Sequence, residues 1–386
     1  MKNKILVFNG FYVPAKKYGG PTTSLVTVVE NCSEQNEFYI VAANHDFGET
    51  EPFPGIESDK WISVGKAEVF YTDTSKLRFN KKELSKIIDF VKPDLIWHTG
   101  ILTPYLNWPL AQICKKRKIP FLISPRGEVC ENTFHSKFLK KYLTSCGVNF
   151  FGIYSKVFYH STSEEETQGL KKYYKATDSQ IIFAPNIAAS LKVYERTINK
   201  EPGEIRIVFI SRIQAKKNLL TAVKAVKNMY GNAVFDIFGP MESPDYWQNC
   251  LEEMKDLPTG ISINYCGRLD PDEVRQVFSE YHCFLFPTTS ENYGHVIAES
   301  LSAGCPVVLS AGTTPWDDVD EEGGFISPLD DIEMFTQKLT AIQKMDNEEY
   351  KKLCEGVYSY YSKKIQSDNA VELHDRMFDY CIKNHH

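Results

Sequence analysis

The sequence contains 386 residues, of which 42% are hydrophobic and 24% are charged. This composition excludes a disordered or fibrous protein, and the length favours two globular domains. No stretch of about 20 apolar residues is present, so we expect no transmembrane helix. Asn9 and Gly10 interrupt the first apolar run and no small-residue cleavage site follows, so we interpret that run as a buried strand rather than a signal peptide.

The net charge of −6 is unevenly distributed along the chain. Residues 1–200 hold 27 Lys and Arg and 20 Asp and Glu, a net charge of +7. Residues 201–386 hold the remaining 17 Lys and Arg (44 − 27) and 30 Asp and Glu (50 − 20), a net charge of −13. A basic half can face anionic lipid or phosphate, although surface charge also differs between domains without functional meaning. The acidic half and the lack of a recognisable motif argue against nucleic-acid binding.

None of the ten cysteines forms a CxxC pair, and several lie inside apolar runs, as Cys283 does. This pattern favours free, buried thiols in a reducing cytosol over disulfides or a zinc site. We therefore expect a cytoplasmic protein.

Short apolar runs alternate with segments of helical spacing along the chain. The predicted strands of the first half are ILVFNG, FYIVAAN, WISVG, DLIWHTG, FLISPRG, VFYHST and IIFAPN, and those of the second half are IRIVFIS, AVFDIFG, ISINYCG, CFLFPT, PVVLS and GFISP. Alternation with helices such as NLLTAVKAVKNMY predicts an α/β fold with parallel sheets. The two series meet at the polar residues 197–206, where we place a linker.

The residues that follow the strands are the candidates for function, because ligands bind beyond the carboxyl ends of strands in parallel α/β sheets. The strand IRIVFIS is followed by SRIQAKKN, which contains Arg212 and Lys217 and leads into a helix. Two cations beside a helix N-terminus suit an anion such as a diphosphate. Two solvated surface cations are the alternative.

The strand CFLFPT is followed by SENYGHVIAES, with Glu291 before a turn and Glu299 on a helix predicted over residues 294–303. Carboxylates in these positions can accept hydrogen bonds from sugar and ribose hydroxyls, whereas a helix-dipole partner and an ordinary surface glutamate are the alternative. Gly294 permits close backbone approach, and the amides around it are expected to face a ligand. Helical spacing predicts one face toward the sheet (Val296, Ile297, Ser300, Leu301) and an opposite stripe (His295, Glu299, Ser302).

The Arg-x4-Lys and Glu-x7-Glu elements together resemble the retaining GT-B glycosyltransferases of family GT4. TPWDD at residues 314–318 and the glycine pair at 323–324 are similar to the trailing part of the same signature. The resemblance covers essentially the whole chain and implies two Rossmann-like domains facing a central cleft. Residues 1–197 would bind the acceptor, residues 198–365 would bind the nucleotide sugar, and a helix within 366–386 would pack back on the first domain.

The resemblance also implies roles for individual residues. Arg212 and Lys217 would bind the donor diphosphate and stabilise the leaving group, and Glu291 would bind the transferred sugar; these three are the predicted catalytic residues. Glu299 would hold the ribose. The other predicted donor contacts are Gly19, Gly20, Arg126, Gly239, Gly267, Arg268, Leu269, Asn292, Tyr293 and Gly294.

The first half departs from the common GT4 pattern, in which many members carry a histidine after a strand near the transferred sugar. Here FLISPRGEV places Arg126 and Gly127 at that point, which resembles a subgroup with SPRG. His98, at the end of DLIWH, is the second candidate for a sugar or acceptor contact, although a histidine at a strand end is often structural. Which residue makes the contact stays open.

The implied reaction moves a hexose-type sugar from a nucleoside diphosphate sugar, most suitably a UDP-sugar, to a saccharide or lipid-linked saccharide. No unassigned acid fits the place of a covalent nucleophile, so attack from the same face is favoured. No DxD motif follows a strand, so we expect no metal or other cofactor and activity that survives EDTA. A GT-B-type UDP-sugar 2-epimerase and a non-catalytic nucleotide-sugar or glycan binding protein are the alternatives.

Residues 136–160 and KKYYK at 171–175 combine lysines with aromatic side chains in the basic half. This pattern favours peripheral contact with an anionic membrane and a polyprenyl-diphosphate-linked acceptor, as in capsule, O-antigen or exopolysaccharide assembly. Core aromatics with solvated lysines are the alternative. The sequence does not define the sugar, the base, the acceptor, the linkage or the oligomeric state.

Overall fold

The computed structural model describes residues 2–131, 134, 138–188, 196, 198–321 and 323–385. The chain forms two compact units: unit 1 comprises residues 1–187 and 368–386, and unit 2 comprises residues 188–367. The segment predicted as a linker lies within unit 2, apart from Thr197, which is outside the described residues. Ile198 packs against the core of unit 2, and the Arg196 guanidinium donates to the carbonyls of Tyr281 (2.5 Å) and Ala303 (3.2 Å), which explains why the division comes earlier.

Unit 1 is built on an eight-stranded sheet with the order β3-β4-β2-β1-β5-β6-β7-β8. Its strands are β1 Asn3–Phe8, β2 Asn36–Ala43, β3 Trp61–Val64, β4 Ala67–Thr72, β5 Leu95–Thr99, β6 Phe121–Ser124, β7 Val157–Ser161 and β8 Ile181–Phe183. Neighbouring strands are parallel except for β3 and β4, which form an antiparallel pair at one edge. The seven predicted strands of this half are confirmed.

Strand β4 was not predicted, and its antiparallel pairing with β3 is a departure from the otherwise parallel sheet. Its sequence, AEVFYT, places Val69 and Tyr71 in the core while Glu68 interrupts the apolar run. A search for continuous apolar runs overlooks such alternation, which is typical of strands covered on one face.

Five helices of unit 1 come before β8 in the described part of the chain. They cover both faces of the sheet. They are α1 Gly20–Asn31, α2 Lys81–Val91, α3 Pro104–Arg117, α4 Phe138–Phe150 and α5 Glu164–Tyr174. Pro at the start of α1 and of α3 suits the first helical turn, where the missing N–H has no intrahelical partner.

Unit 2 is built on a six-stranded sheet in which all neighbours are parallel, with the order β11-β10-β9-β12-β13-β14. Its strands are β9 Glu204–Ile210, β10 Asn232–Phe238, β11 Ile261–Tyr265, β12 Cys283–Phe286, β13 Val307–Ser310 and β14 Phe325–Ser327. The strand order reverses where β9 lies beside β12. This is the switch point at which α/β sheets bind ligands.

Helices pack on both faces of the second sheet, which explains why its strands are continuous apolar runs. They are α6 Leu219–Lys227, α7 Pro244–Glu253, α8 Val274–Phe278, α9 His295–Ser302, α10 Ile332–Lys344 and α11 Asn347–Asp368. The six predicted strands of this half and the predicted helices α6 and α9 are confirmed.

The C-terminal helix α12, Ala370–Lys383, belongs to unit 1. Its Phe378 ring lies 5.5 Å from the Trp97 ring and 5.8 Å from the Phe38 ring, and it is fully buried. The return of the C-terminal helix to the N-terminal unit agrees with the expected fold. Among the described helices, none has the length and hydropathy that a bilayer span requires.

All ten cysteines are free thiols, and only Cys146 and Cys266 among them are exposed.

Candidate functional site

The predicted donor residues of unit 2 converge on the switch point of its sheet. Strand β9 ends at Ile210 and is followed by Arg212 and by a short 3₁₀ turn that ends at Lys217. Strand β12 ends at Phe286 and is followed by the turn that carries Glu291. Because β9 and β12 are adjacent, residues 74 positions apart in the sequence come together.

Lys217 and Glu291 form a partly buried ion pair. The Lys217 ammonium donates to Glu291 Oε1, and the two side chains are only 12% and 13% exposed. The Thr288 hydroxyl donates to the same carboxylate oxygen at 3.1 Å, and the Lys217 Nζ lies 5.6 Å from the centroid of the Phe286 ring. Burial lowers the pKa of Lys217, and the charge of Glu291 opposes that shift. The predicted phosphate-binding cation and the predicted sugar-binding acid therefore neutralise each other, a contact that the sequence did not reveal.

The turn that carries Glu291 is fixed by the loop after β13. The Glu291 N–H donates to the Thr313 carbonyl at 2.7 Å, and the indole N–H of the buried Trp316 donates to the Tyr293 carbonyl at 2.6 Å. The TPWDD segment, noted only as the trailing part of a signature, thus holds the backbone of the Glu291 turn.

Arg212 has its own carboxylate partner. Its guanidinium donates to Glu242 at 3.1 Å, and its side chain is 46% exposed. The Arg212 charge lies close enough to Lys217 to contribute to the lowered pKa of that ammonium. The two cations are therefore neighbours, as predicted, but each is paired separately. Glu242 was missed, although it follows β10 and the search of residues after strands could have found it.

Helix α9 places Glu299 at the edge of the core. Ile297, Ser300 and Leu301 are fully buried, as predicted for the inner face. Glu299 is half-buried, and burial raises its pKa to about 7 while Arg275 acts in the opposite direction. The assignment of Ser302 to the outer stripe is wrong: it is 1% exposed, and its hydroxyl donates to the Glu299 carbonyl at 2.8 Å because the helix ends here.

The structure explains why two of the predicted donor contacts are glycines. Gly239 has φ 142°, and a Cβ there would lie 1.8 Å from the Ser211 carbonyl oxygen, so a side chain cannot be accommodated. Gly294 has φ 78°, and a Cβ there would lie 2.8 Å from Ile297 Cδ1. Gly239 is therefore required by the packing of β9 against β10, whatever else it contacts.

The remaining predicted donor positions of unit 2 lie after β11. Nothing lies within 4 Å of a Cβ built on Gly267, so its surroundings are open. Arg268 is exposed, whereas Leu269 packs against the core. Backbone recognition of a base beside this loop stays a prediction.

In unit 1, the glycine pair follows β1 and begins α1. Gly19 has φ 75° and serves as the N-cap of α1, with its carbonyl accepting from the Thr22 N–H at 3.0 Å. Gly20 is the first residue of the helix. The pair thus lies at a helix N-terminus beside the switch point between β1 and β5.

His98, near the end of β5, is 3% exposed. Burial lowers its pKa to about 4, so the ring is neutral at neutral pH. Its Nδ1 is buried and has no hydrogen-bond partner in the part of the chain that the structure describes.

Arg126 follows β6 in a left-handed conformation, with φ 52°. Its Nη1 donates to Asn186 Oδ1 at 2.6 Å, and its guanidinium lies 5.7 Å from the centroid of the Trp97 ring. Its Nε and Nη2 are buried and have no hydrogen-bond partner among the described residues. Burial lowers the pKa of the guanidinium to about 10, and Glu166 opposes that shift.

Among the described residues, no group of three or more His, Cys, Asp and Glu side chains is arranged to hold a metal ion.

The second half of the chain matches the model of a known protein family. Residues 192–359 match the family model of glycosyl transferases group 1. This segment of the chain is therefore similar to the group 1 glycosyltransferases. Sulfoquinovosyl transferase SQD2 of Arabidopsis thaliana is 30% identical over 179 residues, which are 45% of this chain and 33% of SQD2. An uncharacterized glycosyltransferase of Methanocaldococcus jannaschii is 23% identical over 120 residues, 31% of this chain and 30% of its own length. The matches thus span about a third of these curated relatives.

Solved structures resemble the chain over nearly its full length. Sucrose-phosphate synthase from Thermosynechococcus elongatus matches with a TM-score of 0.71 and 14% identity, covering 98% of both chains. Anabaena HepE, solved in complex with UDP and glucose, matches with a TM-score of 0.68 and 12% identity, covering 98% of this chain and 99% of HepE. At these identities the likeness shows the fold, which is GT-B.

Proposed function

We propose that this protein is a retaining glycosyltransferase that moves a hexose-type sugar from a UDP-sugar to a saccharide or lipid-linked saccharide in the assembly of cell-surface polysaccharide. The contact between Lys217 and Glu291 carries the proposal, because it joins a phosphate-binding cation and a hydroxyl-binding acid at the switch point of the unit 2 sheet. UDP is the favoured nucleotide because HepE was solved with UDP and with UDP-glucose.

Donor binding exchanges partners within the ion pair. The diphosphate takes over the Lys217 ammonium, and the released Glu291 carboxylate accepts hydrogen bonds from the hydroxyls of the transferred sugar. Both buried charges therefore keep a partner during this exchange. An unpaired buried charge would be costly. Arg212, which is more exposed and pairs with Glu242, supplies the second charge to the diphosphate.

Catalysis in this proposal is electrostatic. Arg212 and Lys217 stabilise the negative charge that develops on the leaving nucleoside diphosphate. Its departing oxygen takes the proton of the acceptor hydroxyl, so that the new bond forms on the face that the diphosphate leaves. In the donor complex Glu291 accepts hydrogen bonds from Thr288 and from the sugar hydroxyls, which makes it a poor covalent nucleophile. The fixed cations do the work that a metal does in other transferases, and activity in excess EDTA equal to that without EDTA is the expected result.

A test of the reaction mixes the purified protein with UDP-, GDP- and ADP-sugars, alone and with saccharide or polyprenyl-diphosphate-linked acceptors. Release of nucleoside diphosphate and a new glycoside that depend on acceptor support the proposal. Isomerisation of the donor without acceptor would identify a 2-epimerase instead. Donor binding without any turnover would identify a binding protein.

Helix α4 of unit 1 supports contact with a membrane. Large apolar side chains are exposed on α4 and just after it: Phe138 40%, Leu139 69%, Tyr142 45%, Leu143 61%, Phe150 84% and Phe151 73%. The described buried residues of α4 are Ser145 and Val148. Such a face, in the basic half of the chain, suits an anionic bilayer surface.

The sequence pattern overstated the size of this surface. Tyr173 and Tyr174 of KKYYK are 7% and 4% exposed and belong to the core, because they lie on the inner face of α5. Ser136 and Lys137 lie outside the described residues. The proposed contact is therefore limited to α4 and the residues that follow it directly.

Co-sedimentation with vesicles tests the membrane contact. We expect the protein to sediment with phosphatidylglycerol vesicles at low salt, and the double variant Phe150→Ser/Phe151→Ser to sediment less. Phe183→Ser, at an exposed phenylalanine outside this surface, is the matched control and should sediment like the unaltered protein. Equal sedimentation of all three proteins, or none, would contradict the proposal.

A further inference from the structure

The guanidinium of Arg126 is an unusual feature of unit 1 because it is incompletely hydrogen-bonded. Its one hydrogen bond, from Nη1, goes to the neutral side chain of Asn186. Nε and Nη2, both buried, have no partner in the described residues. A buried cation without a hydrogen-bonded counter-ion destabilises the folded state, so its retention calls for a reason.

The carboxylates near Arg126 are engaged elsewhere. Glu166 is fully buried and accepts from the Gly127 N–H and from the N–H and hydroxyl of Thr162, both at 2.8 Å. Glu128 accepts from the N–H groups of Ile101 (2.6 Å) and Leu102 (3.0 Å). Both acids therefore fix the backbone around Arg126, and neither forms a salt bridge with it.

A set of neutral side chains holds the guanidinium of Arg126 in place. The face of Trp97 lies against the guanidinium, and the Trp97 indole donates to Ser124 Oγ at 2.7 Å. Ser124 in turn bonds His160 at 2.8 Å, and the rings of His160 and His374 lie 5.0 Å apart. These contacts fix the position of the cation without satisfying its remaining donors.

The two unpartnered nitrogens have a specific geometry. Nε–H and the adjacent N–H of Nη2 point in parallel from one edge of the guanidinium, the edge that binds carboxylate and phosphate with two hydrogen bonds. We propose that Arg126 binds an oxyanion group of the substrate, a phosphate or a carboxylate, through this edge. The inference rests on the proposed transferase function and names the chemistry that unit 1 recognises.

Binding requires a movement of the side chain, because Nε and Nη2 are shielded from solvent in the structure. Rotation off the Trp97 ring would bring the free edge to the surface. Nε and Nη2 would then donate two hydrogen bonds to the oxyanion instead of being buried without partners. The ligand therefore favours the rotated state of the side chain. The left-handed backbone conformation of Arg126 fixes the direction of its Cα–Cβ bond.

Three possible sources of the oxyanion are separated by Arg126→Lys, which keeps the charge but removes the paired donors. Binding of UDP, UDP-glucose and UDP-glucuronate is measured by calorimetry, and the KM for neutral and for anionic acceptors is measured by product formation. If the donor diphosphate is the ligand, all three nucleotides bind about tenfold or more weakly to the variant. If a sugar carboxylate is the ligand, only UDP-glucuronate loses affinity. If the acceptor carries the anion, only the KM for anionic acceptors rises.

The inference is overturned if Arg126→Lys binds every ligand and uses every acceptor like the unaltered protein. Arg78→Lys, at a cation-π contact with Tyr105 elsewhere in unit 1, is the matched control and should change none of these values. Thermal unfolding of both variants checks that they fold. Loss of UDP binding in Lys217→Ala, measured in parallel, tests the donor site of unit 2 separately, so failure of the transferase proposal and failure of the Arg126 inference give different results.

Discussion

The candidate binding residues of the two units hold their cations in different ways. In unit 2, Lys217 and Arg212 each contact a carboxylate and keep some exposure to solvent. In unit 1, Arg126 has no carboxylate partner among the residues that the structure describes, and three buried histidines are held neutral by desolvation. The paired cations of unit 2 can exchange partners with a ligand, and Arg126 offers unpaired donors to one, whereas the neutral buried histidines of unit 1 serve the fold. The difference explains why family motifs locate a site in unit 2 more readily than in unit 1.

The largest effect is expected from removing the cation at the switch point of unit 2. Lys217→Ala should lower kcat by about 10²- to 10³-fold, because it removes a charge that stabilises the leaving group and leaves Glu291 half-buried without its partner. Steady-state turnover of donor and acceptor measures the loss. The exposed neighbour Lys216 is the control, and Lys216→Ala should turn over within a few-fold of the unaltered protein.

The pairing itself is tested by a double-mutant cycle. If Lys217 and Glu291 act as a unit, the double change Lys217→Ala/Glu291→Ala costs much less than the sum of the two single changes, in activity and in stability. Additive losses would show that the two side chains act independently, and unit 2 would then lose the feature that distinguishes it from unit 1.

The sequence predicted the fold better than the contacts. Thirteen apolar runs matched strands because parallel strands buried on both faces are continuous apolar segments, and β4 was missed because Glu68 interrupts it. Arg212, Lys217 and Glu291 were placed correctly after β9 and β12. Their pairing was not predictable, since it depends on which strands are neighbours and on side-chain directions that a linear pattern does not contain.

Exposure was the second property that the sequence could not supply. Basic and aromatic residues around α4 and in KKYYK have the same composition, yet Phe150 is 84% exposed and Tyr174 is 4% exposed. The face that a short helix turns toward its sheet decides this, and the described part of α4 buries only a narrow strip. The partner of Arg212 was missed for a different reason, since Glu242 follows a strand but belongs to no motif.

A smaller effect is expected from the buried histidines, and it should fall mainly on unit 1. Burial lowers the pKa of His374 from its ordinary value of 6.5 to about 4. Its Nδ1 donates to the Ala370 carbonyl at 2.8 Å, and its buried Nε2 has no partner in the described residues, so a second proton would have no acceptor. Between pH 6.5 and 4 the unfolded chain binds a proton that the folded chain does not, and the stability present above pH 6.5 is lost as the pH falls.

Urea denaturation at several pH values measures this loss. For His374 this loss is at most about 3 kcal/mol at the acid end of the range. Because His98, His160 and His374 lie in unit 1 and His282 lies in unit 2, unit 1 is expected to unfold first in acid. His374→Asn should reduce the pH dependence between 6.5 and 4. Simultaneous acid unfolding of both units with no change in His374→Asn would contradict the comparison.

The smallest effect concerns Glu299, a half-buried acid of unit 2 whose pKa is raised by desolvation. Its pKa is raised from 4.5 to about 7, so the carboxylate is largely ionised only above pH 7. If the ionised form accepts the ribose hydroxyls, UDP affinity should rise as the pH increases through 7 and fall up to about tenfold per pH unit below it. Calorimetry between pH 6 and 8 checks this, and Glu299→Gln should bind UDP more weakly with a flat profile.

Ionisation of Glu299 should favour UDP binding but disfavour folding. Measuring both properties therefore separates a role in binding from a role in the fold. The unfolded chain loses the Glu299 proton near pH 4.5 and the folded chain keeps it to about pH 7, so folding becomes less favourable as the pH rises between these values. Glu299→Gln should therefore be more stable than the unaltered protein at pH 8 and similar at pH 4.5. A variant that gains stability at pH 8 and loses the pH dependence of UDP affinity would show that burial was retained for binding. A gain in stability with unchanged UDP binding would assign Glu299 to the fold, as burial assigns the histidines of unit 1.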